Sequence, residues 1–434
     1  MALPARGPKL EDLRIQRLTL LPNLIWEGTE SGACAEVLAG SAGGPVFGQY
    51  ALLHQDQDHY YLIRDRLGLN KLFYHLDPDS KTLTVGHYLF EVARATGDYN
   101  GVRSVPAGHY LVVDRETLAR RLVSYWDLSR VETAADFDLE GFQHRVDALL
   151  TRLFVALDRR AGPDARFYVC LSGGLDSTVI AAYAGRYLRN VTAVSFSYER
   201  LSDDFRAAER IAGGLGLPFL PVVARRRFEE GLLDDVLRFG QDWRDFNVHC
   251  AWVNAHIAGH LRESGPEGGA MVLTGDLMNE LVADYTPVEF GGAVYYPQPR
   301  IPREKLRRFL VYGLDSSDRE TGIFHHHGLT VVQPYSLVAE EYLSVPPEIL
   351  AMERWKERLN GALLSRLDRR EIGDLVLKSK LRAQVGSSDG GTLGLFHEAG
   401  ITQQKLEERW QALFAPTARE DRLEPVIVGG RYRS

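Results

Sequence analysis

Cysteine is scarce in this chain. Three occur in 434 residues, Cys34, Cys170 and Cys250, at spacings that form no pair. Neither a disulfide framework nor a zinc site is predicted from them. No apolar run is long enough to span a bilayer, and the opening Met1-Ala2-Leu3-Pro4-Ala5-Arg6-Gly7 lacks a signal-type apolar core. Positive charge is not in excess: 51 Lys and Arg stand against 58 Asp and Glu, a net charge of -7. Neither nucleic acid nor a membrane surface is therefore expected as a partner. Internal repeats and low-complexity segments are lacking as well. What remains is a globular protein expected in a reducing, cytoplasmic compartment.

The composition, 45% apolar and 25% charged, suits a folded protein, and the length predicts two domains. Residues 13 to 128 read as short β segments between turns. Segment 46–53 is expected to pair with 60–64, and 71–75 with 82–86. From Leu139 the period becomes helical, with Phe142, Val146, Leu149, Leu150, Leu153 and Phe154 on one stripe. Apolar strands over 167–171, 191–197, 219–223 and 271–275 then alternate with helices, which predicts a parallel sheet covered on both faces. The loops after Leu171, Ser197 and Leu273 should converge on one ligand site at the carboxyl ends of the strands. Beyond Pro297 the chain reads as mostly helical, and residues 415–434 as loosely held.

One stretch organises the rest: Phe167-Tyr168-Val169-Cys170-Leu171-Ser172-Gly173-Gly174-Leu175-Asp176-Ser177-Thr178. A β-forming run stops at two glycines and a helical pattern begins. Gly173 and Gly174 allow positive φ and close backbone approach. Backbone N–H groups and the helix dipole then favour an anion such as phosphate. Ser172, Ser177 and Thr178 add hydroxyl donors. Asp176 would repel a phosphate, and it makes sense if it holds a Mg²⁺ that bridges phosphate oxygens. The plain alternative is an ordinary strand-to-helix turn with Asp176 as a dipole partner.

The string Ser172–Ser177 resembles the pyrophosphate-binding loop of N-type ATP pyrophosphatases. The chain as a whole resembles the asparagine synthetase family, with the β-lactam synthetases and lasso-peptide cyclases. Three further stretches carry this. Phe47-Gly48-Gln49-Tyr50-Ala51 with Arg64-Asp65-Arg66-Leu67-Gly68-Leu69-Asn70-Lys71-Leu72-Phe73-Tyr74 is similar to the family's R-D-x-x-G-x-x-P-L-Y-Y run. Pro106-Ala107-Gly108-His109 through Tyr125-Trp126 matches the same N-terminal region. Leu273-Thr274-Gly275-Asp276-Leu277-Met278-Asn279-Glu280-Leu281 is similar to L-x-G-E-G-x-D-E-L, and Gln333-Pro334-Tyr335 to a weaker R-x-P-F.

The resemblance implies an α/β fold in two parts. Residues 1–130 would be a truncated, β-rich, amidotransferase-like (Ntn-type) domain. Residues 131–434 would be an adenine-nucleotide α-hydrolase-like (PP-loop) synthetase domain with a helical C-terminal part. It implies ATP and Mg²⁺ as cofactors: a substrate carboxylate is adenylated, pyrophosphate leaves, and an amine displaces AMP. Leu171 to Ser177 and Gly275 would hold the phosphates. Adenine would lie over Leu171 and near Ser195, Phe196 and Ser197. Asp176, Asp276 and Asn279 would ligate Mg²⁺. Lys380, with Lys378 as a rival, would be the charge-stabilising lysine, and Asp276 and Glu280 would be the acidic catalytic residues.

Two departures narrow this reading. Glutamine-using members carry a cysteine after the initiator Met, where this chain has Ala2. No glutaminase is expected, and the amine would come from free ammonia, a partner, a second substrate or the substrate itself, with a carrier protein as a further partner. The family aspartate falls on Asn279, and Asp276 replaces the family glutamate. Rival readings are an intramolecular cyclase, a non-catalytic homologue with a lost Mg²⁺ site, and a tRNA sulfurtransferase. Elsewhere, His325-His326-His327 reads as a loop or pocket wall, and Asp318-Arg319 as a surface ion pair. Arg225-Arg226-Arg227 reads as a solvated helix start, and 285–297 as a substrate-shaping loop or an ordinary packed connection.

Overall fold

The computed structural model describes residues 13–26, 28–40, 47–199, 201–264, 270–284, 287–313, 318–352, 354–376, 390–417, 422–428 and 431–434. The chain divides into two compact units, residues 1–127 with 411–434, and residues 128–410.

The first unit is built from turns closed by short β segments. Strands β1 (Arg14–Arg17), β2 (Ala51–Gln55), β3 (His59–Arg64), β4 (Phe73–Asp77), β5 (Thr82–Gly86), β6 (Arg103–Ser104), β7 (His109–Asp114) and β8 (Arg120–Ser124) make two sheets, ordered β1-β5-β4-β6 and β8-β7-β3-β2. Both expected hairpins are present, β2 with β3 and β4 with β5. Leu62, Leu111 and Val113 of one sheet meet Leu83 and Val85 of the other in a single core. Two helices, α1 (Glu30–Leu38) and α2 (Leu89–Thr96), accompany the sheets.

The Arg64-Asp65 run is structural. Asp65 is fully buried and accepts backbone N–H bonds from Leu67, Leu69 and Asn70. Arg64, equally buried, donates to the carbonyls of Gly68, Asn70 and Val105. Each charge closes the backbone of the turn, which is what a buried charge requires.

Residues 415–434 are not loosely held throughout. Ser104 N donates to the Arg433 carbonyl at 2.7 Å, and Tyr432 packs on Phe73 with ring centroids 4.8 Å apart. Just before them, Phe414 is fully buried against Tyr99. Aromatic burial outweighs the polar composition of the segment.

The second unit carries a five-stranded parallel sheet: β9 (Phe167–Cys170), β10 (Val191–Tyr198), β11 (Phe219–Ala224), β12 (Met271–Leu273) and β15 (Thr330–Val332), in the order β11-β10-β9-β12-β15. A separate hairpin pairs β13 (Val288–Phe290) with β14 (Ala293–Tyr295). The fifth sheet strand, β15, falls in the region read as mostly helical. Helices α3 (Leu139–Ala161), α4 (Leu175–Tyr187), α5 (Asp203–Leu215), α6 (Glu230–Gly240) and α7 (Asp245–Ser264) surround the sheet. α3 starts where Asp138 accepts from the N–H groups of Glu140 and Gly141. Its buried stripe is Phe142, Val146, Leu150, Leu153, Phe154 and Leu157. α4 buries small residues (Ala181, Ala182, Ala184) that let it lie close to its neighbours, and α7 packs Val253, Ile257 and Leu261 on Val194 and Val222. Connections from β9 run to β10 on one side and the chain returns to β12 on the other, so the strand order reverses beside β9. Ligands of open α/β sheets bind at such a reversal.

Candidate active site

The glycine turn lies at that reversal. Gly173 has φ of 72°, and a Cβ on it would lie 2.7 Å from the Asp204 carbonyl and 2.9 Å from Ala207 Cβ. Gly174 caps α4 with no side-chain bond to its first turn. Gly275, just past β12, crosses so close that a Cβ there would lie 2.8 Å from Ser177 N. The two strand ends are thus pressed together at the start of α4. Ser172 N donates to Ser177 Oγ at 3.1 Å, Ser177 Oγ to the Gly174 carbonyl at 3.1 Å, and Thr178 Oγ1 to the same carbonyl at 2.8 Å. These hydroxyls brace the loop. Tyr335, from Gln333-Pro334-Tyr335, is fully buried and donates its OH to the Asp176 carbonyl at 3.0 Å.

Asp176 and Asn279 are brought together, but by a lysine. Asn279 lies in α8 (Met278–Val282), and Lys356 in α10 (Trp355–Arg366). α9 is Thr321–His326. Lys356 Nζ lies 2.7 Å from Asp176 Oδ2, 2.8 Å from Asn279 Oδ1 and 3.2 Å from Asp284 Oδ2. Asn360, one turn on, donates to the other Asp176 oxygen at 3.2 Å. Desolvation works against the ammonium, but Asp176 and Asp284 outweigh it and the Lys356 pKa is raised.

Asp276 does not join that group. Arg319 holds its carboxylate in a fork, Nη2 at 2.7 Å from Oδ1 and Nε at 3.1 Å from Oδ2. Arg319 Nη2 also bonds Glu280 Oε1 at 2.7 Å and Nη1 bonds Asn247 Oδ1 at 2.9 Å. The reading of Asp318-Arg319 as a surface pair is corrected: both are buried, and Asp318 bonds Gln241 and the Gly322 N–H. The Mg²⁺ set expected from Asp176, Asp276 and Asn279 does not fit this arrangement. One carboxylate is forked by arginine, and the other shares an ammonium with the amide. No group of three His, Cys, Asp or Glu among the described residues could hold a metal.

Beside this pair sits Glu320, which sequence reasoning passed over. Its Oε2 accepts from Thr274 Oγ1 at 2.6 Å and Gln333 Nε2 at 2.9 Å. Desolvation and then the Asp276 charge push its carboxyl up to about 8. A carboxyl poised near neutral pH at a strand mouth can hold or release a proton there. Only its neighbour Arg319 and the Gln333 motif drew notice in the sequence.

The remaining expectations fall out as follows. Leu171 is buried and its N–H is closed by the Val194 carbonyl at 2.8 Å. Ser195 and Ser197 are buried in β10, and Phe196 stacks on His256. Lys380, Lys378 and the glycines at 386 and the serines at 387–388 lie outside the described residues. His325 and His326 end a helix and His327 lies in the turn after it, so the triple histidine is only partly loop. Arg226 is paired with Glu398 at 2.6 Å. In the stretch 287–297, Tyr296 turns inward to His249 Nδ1 at 2.6 Å, whereas Tyr295 bonds His397. Leu277, where the motif's second glycine falls, has φ of 81°; a bulky residue there stores strain of about 1–3 kcal/mol. All three thiols are raised by desolvation, Cys34 and Cys170 in direction and Cys250 up to about 12.

A five-stranded parallel sheet with a glycine turn at its reversal defines an open α/β unit with a candidate anion site at the strand ends. Residues 148–361 match the asparagine synthase family model. Glutamine-hydrolysing asparagine synthetases of Rattus norvegicus and Homo sapiens are 26% identical over 69% of this chain and 56% of their own length. A probable one of Schizosaccharomyces pombe is 27% identical over 61% and 46%. The chain thus spans about half the length of the curated relatives it matches. Among solved structures, an NMN synthetase of Francisella tularensis is 13% identical with a TM-score of 0.31, covering 67% of this chain and 98% of its own. A glutamine-dependent NAD⁺ synthetase of Acinetobacter baumannii is 15% identical with a TM-score of 0.31, covering 75% and 53%. Scores this low bear on neither fold nor function. No described helix is long and apolar enough to cross a membrane.

Proposed function

We propose that the chain is an ATP-dependent ligase that adenylates a substrate carboxylate and passes the acyl group to an amine. A carboxylate oxygen attacks the α-phosphorus, the bond to the bridging oxygen breaks, and pyrophosphate leaves. The amine nitrogen then attacks the acyl carbon, AMP leaves, and the nitrogen gives up a proton. The observation that carries this reading is the Ser172–Ser177 loop at the strand-order reversal, with α4 aimed at it and Gly275 closing it. Such a cradle suits pyrophosphate. Glu320, poised near pH 8, is placed in this reading to take the amine's proton.

The amine source follows from the cysteines. Burial raises all three thiols and disfavours the thiolate that glutamine hydrolysis would need, which supports an amine source other than glutamine. Free ammonia, ammonia from a partner, a second amine substrate or the substrate's own amine would serve, the last closing a ring. The departures at 276 and 279 favour a small carboxylate of specialised metabolism, free or on a carrier protein, over aspartate. A second reading, nucleotide binding without turnover, is favoured by Lys356 lying on Asn279.

The deciding experiment is AMP and pyrophosphate release from ATP with a panel of carboxylates, with and without ammonia and Mg²⁺. Release that depends on one acid, and falls to background in Asp176→Asn, supports the ligase. ATP bound tightly but never cleaved by any acid, with ammonia present, favours the second reading.

A further inference from the structure

Asp176, Asn279 and Asp284 come from three places in the second unit: the first turn of α4, α8, and the segment after it. Their oxygens converge on one centre, at 2.7, 2.8 and 3.2 Å from Lys356 Nζ. Oxygen donors gathered from separate elements around one point are what a hard divalent cation requires. Here the point is filled by an ammonium. The spacing agrees with that occupant, since N–H···O bonds run near 2.7–3.2 Å whereas Mg–O contacts are about 2.0–2.1 Å. The charge agrees as well. Asn279 supplies a neutral acceptor in place of the carboxylate of the family motif, and an ammonium needs less countercharge than a divalent ion. Asp276, the nearest carboxylate in the same motif, is committed to Arg319. Asn360 holds the second Asp176 oxygen, and is itself fixed by the hydroxyl of buried Tyr342.

We propose that Lys356 is a resident cation of this site. Its ammonium stands in the position of a protein-bound divalent ion, ties α4 to α8 without metal, and leaves the nucleotide-free protein with no divalent-cation site of its own. It also sets a fixed positive charge beside the first turn of α4, on the side of the anion cradle. This does not depend on whether the chain is a ligase, because it concerns cation occupancy alone.

Mn²⁺ titration of the full chain without nucleotide, followed by the electron paramagnetic resonance signal of the free ion, tests it. Wild type is expected to bind no Mn²⁺ at about 0.1 mM, a level at which moderate carboxylate sites begin to fill. Lys356→Met removes the charge and frees three oxygens; it is expected to bind one ion. Adding Asp176→Asn should then weaken that binding about tenfold or more. A wild-type site lost on Asp176→Asn would overturn the proposal, as would a folded Lys356→Met that gains none. If Lys356→Met does not fold, Lys356→Gln replaces it, and the wild-type titration decides in either case.

Discussion

A single buried arginine determines what two acidic residues of the Leu273–Leu281 motif can do. Arg319 pairs with both Asp276 and Glu280, so Arg319→Met should strand two carboxylates away from water. Breaking a buried pair this way costs about 3–5 kcal/mol, which urea denaturation would register. Arg319→Lys should cost less while losing the fork that holds Asp276. Glu320 gives the opposite kind of prediction. Its carboxyl is raised from the ordinary value to about 8, so the folded chain holds that proton more tightly than the unfolded one. The stability it contributes is full below the usual carboxylate range and is lost as pH rises through 8. Glu320→Gln, neutral at every pH, should flatten the fall in Tm between pH 5 and 8. In turnover, the limb of the pH–rate profile near 8 should vanish with it. Sequence made Asp176, Gly173 and Asn279 legible because their types and spacing carry chemistry directly. It could not show Lys356, Arg319 or Glu320, since each matters through partners that only the fold brings within reach.

At the scale of elements, the turn between β9 and α4 is set by two close approaches. Gly173→Ala would place a Cβ 2.7 Å from the Asp204 carbonyl at a φ of 72°, and Gly275→Ala a Cβ 2.8 Å from Ser177 N. Backbone atoms cannot yield as a side-chain tip can. Both variants should lose more than about 1 kcal/mol of stability, seen as a lower urea midpoint, and should weaken nucleotide binding more than Gly213→Ala, where a Cβ meets nothing within 4 Å. The parallel strands β9 to β12 were legible as apolar runs, three of them followed closely by glycine or serine. β15 was not, because Thr330–Val332 is three residues long and too short to establish a period of two against a helical neighbourhood.

For the whole molecule, the informative segment is the last one. Residues 411–434 belong with residues 1–127, although composition alone marks them as a polar tail. Deleting them should expose the β6 edge and strip Phe414 from Tyr99 and Phe90. Removal of one fully buried phenylalanine alone costs about 3–5 kcal/mol. Limited proteolysis should therefore cut residues 47–127 sooner in the truncated chain while the parallel-sheet unit stays resistant. The switch from alternating to helical periodicity near Leu139 is local and therefore legible in a window of residues. The return of the tail is a contact between distant parts of the sequence, which no window of residues contains.

That return also sets an order of events on the ribosome. The parallel-sheet unit, encoded in one continuous stretch, can finish as soon as residue 410 has left the exit tunnel. The β-rich unit emerges first, yet its Arg103–Ser104 edge waits for Arg433, more than 300 residues later in the chain. Until then it presents an open strand edge to whatever is nearby, and it becomes whole only after the parallel-sheet unit has been made.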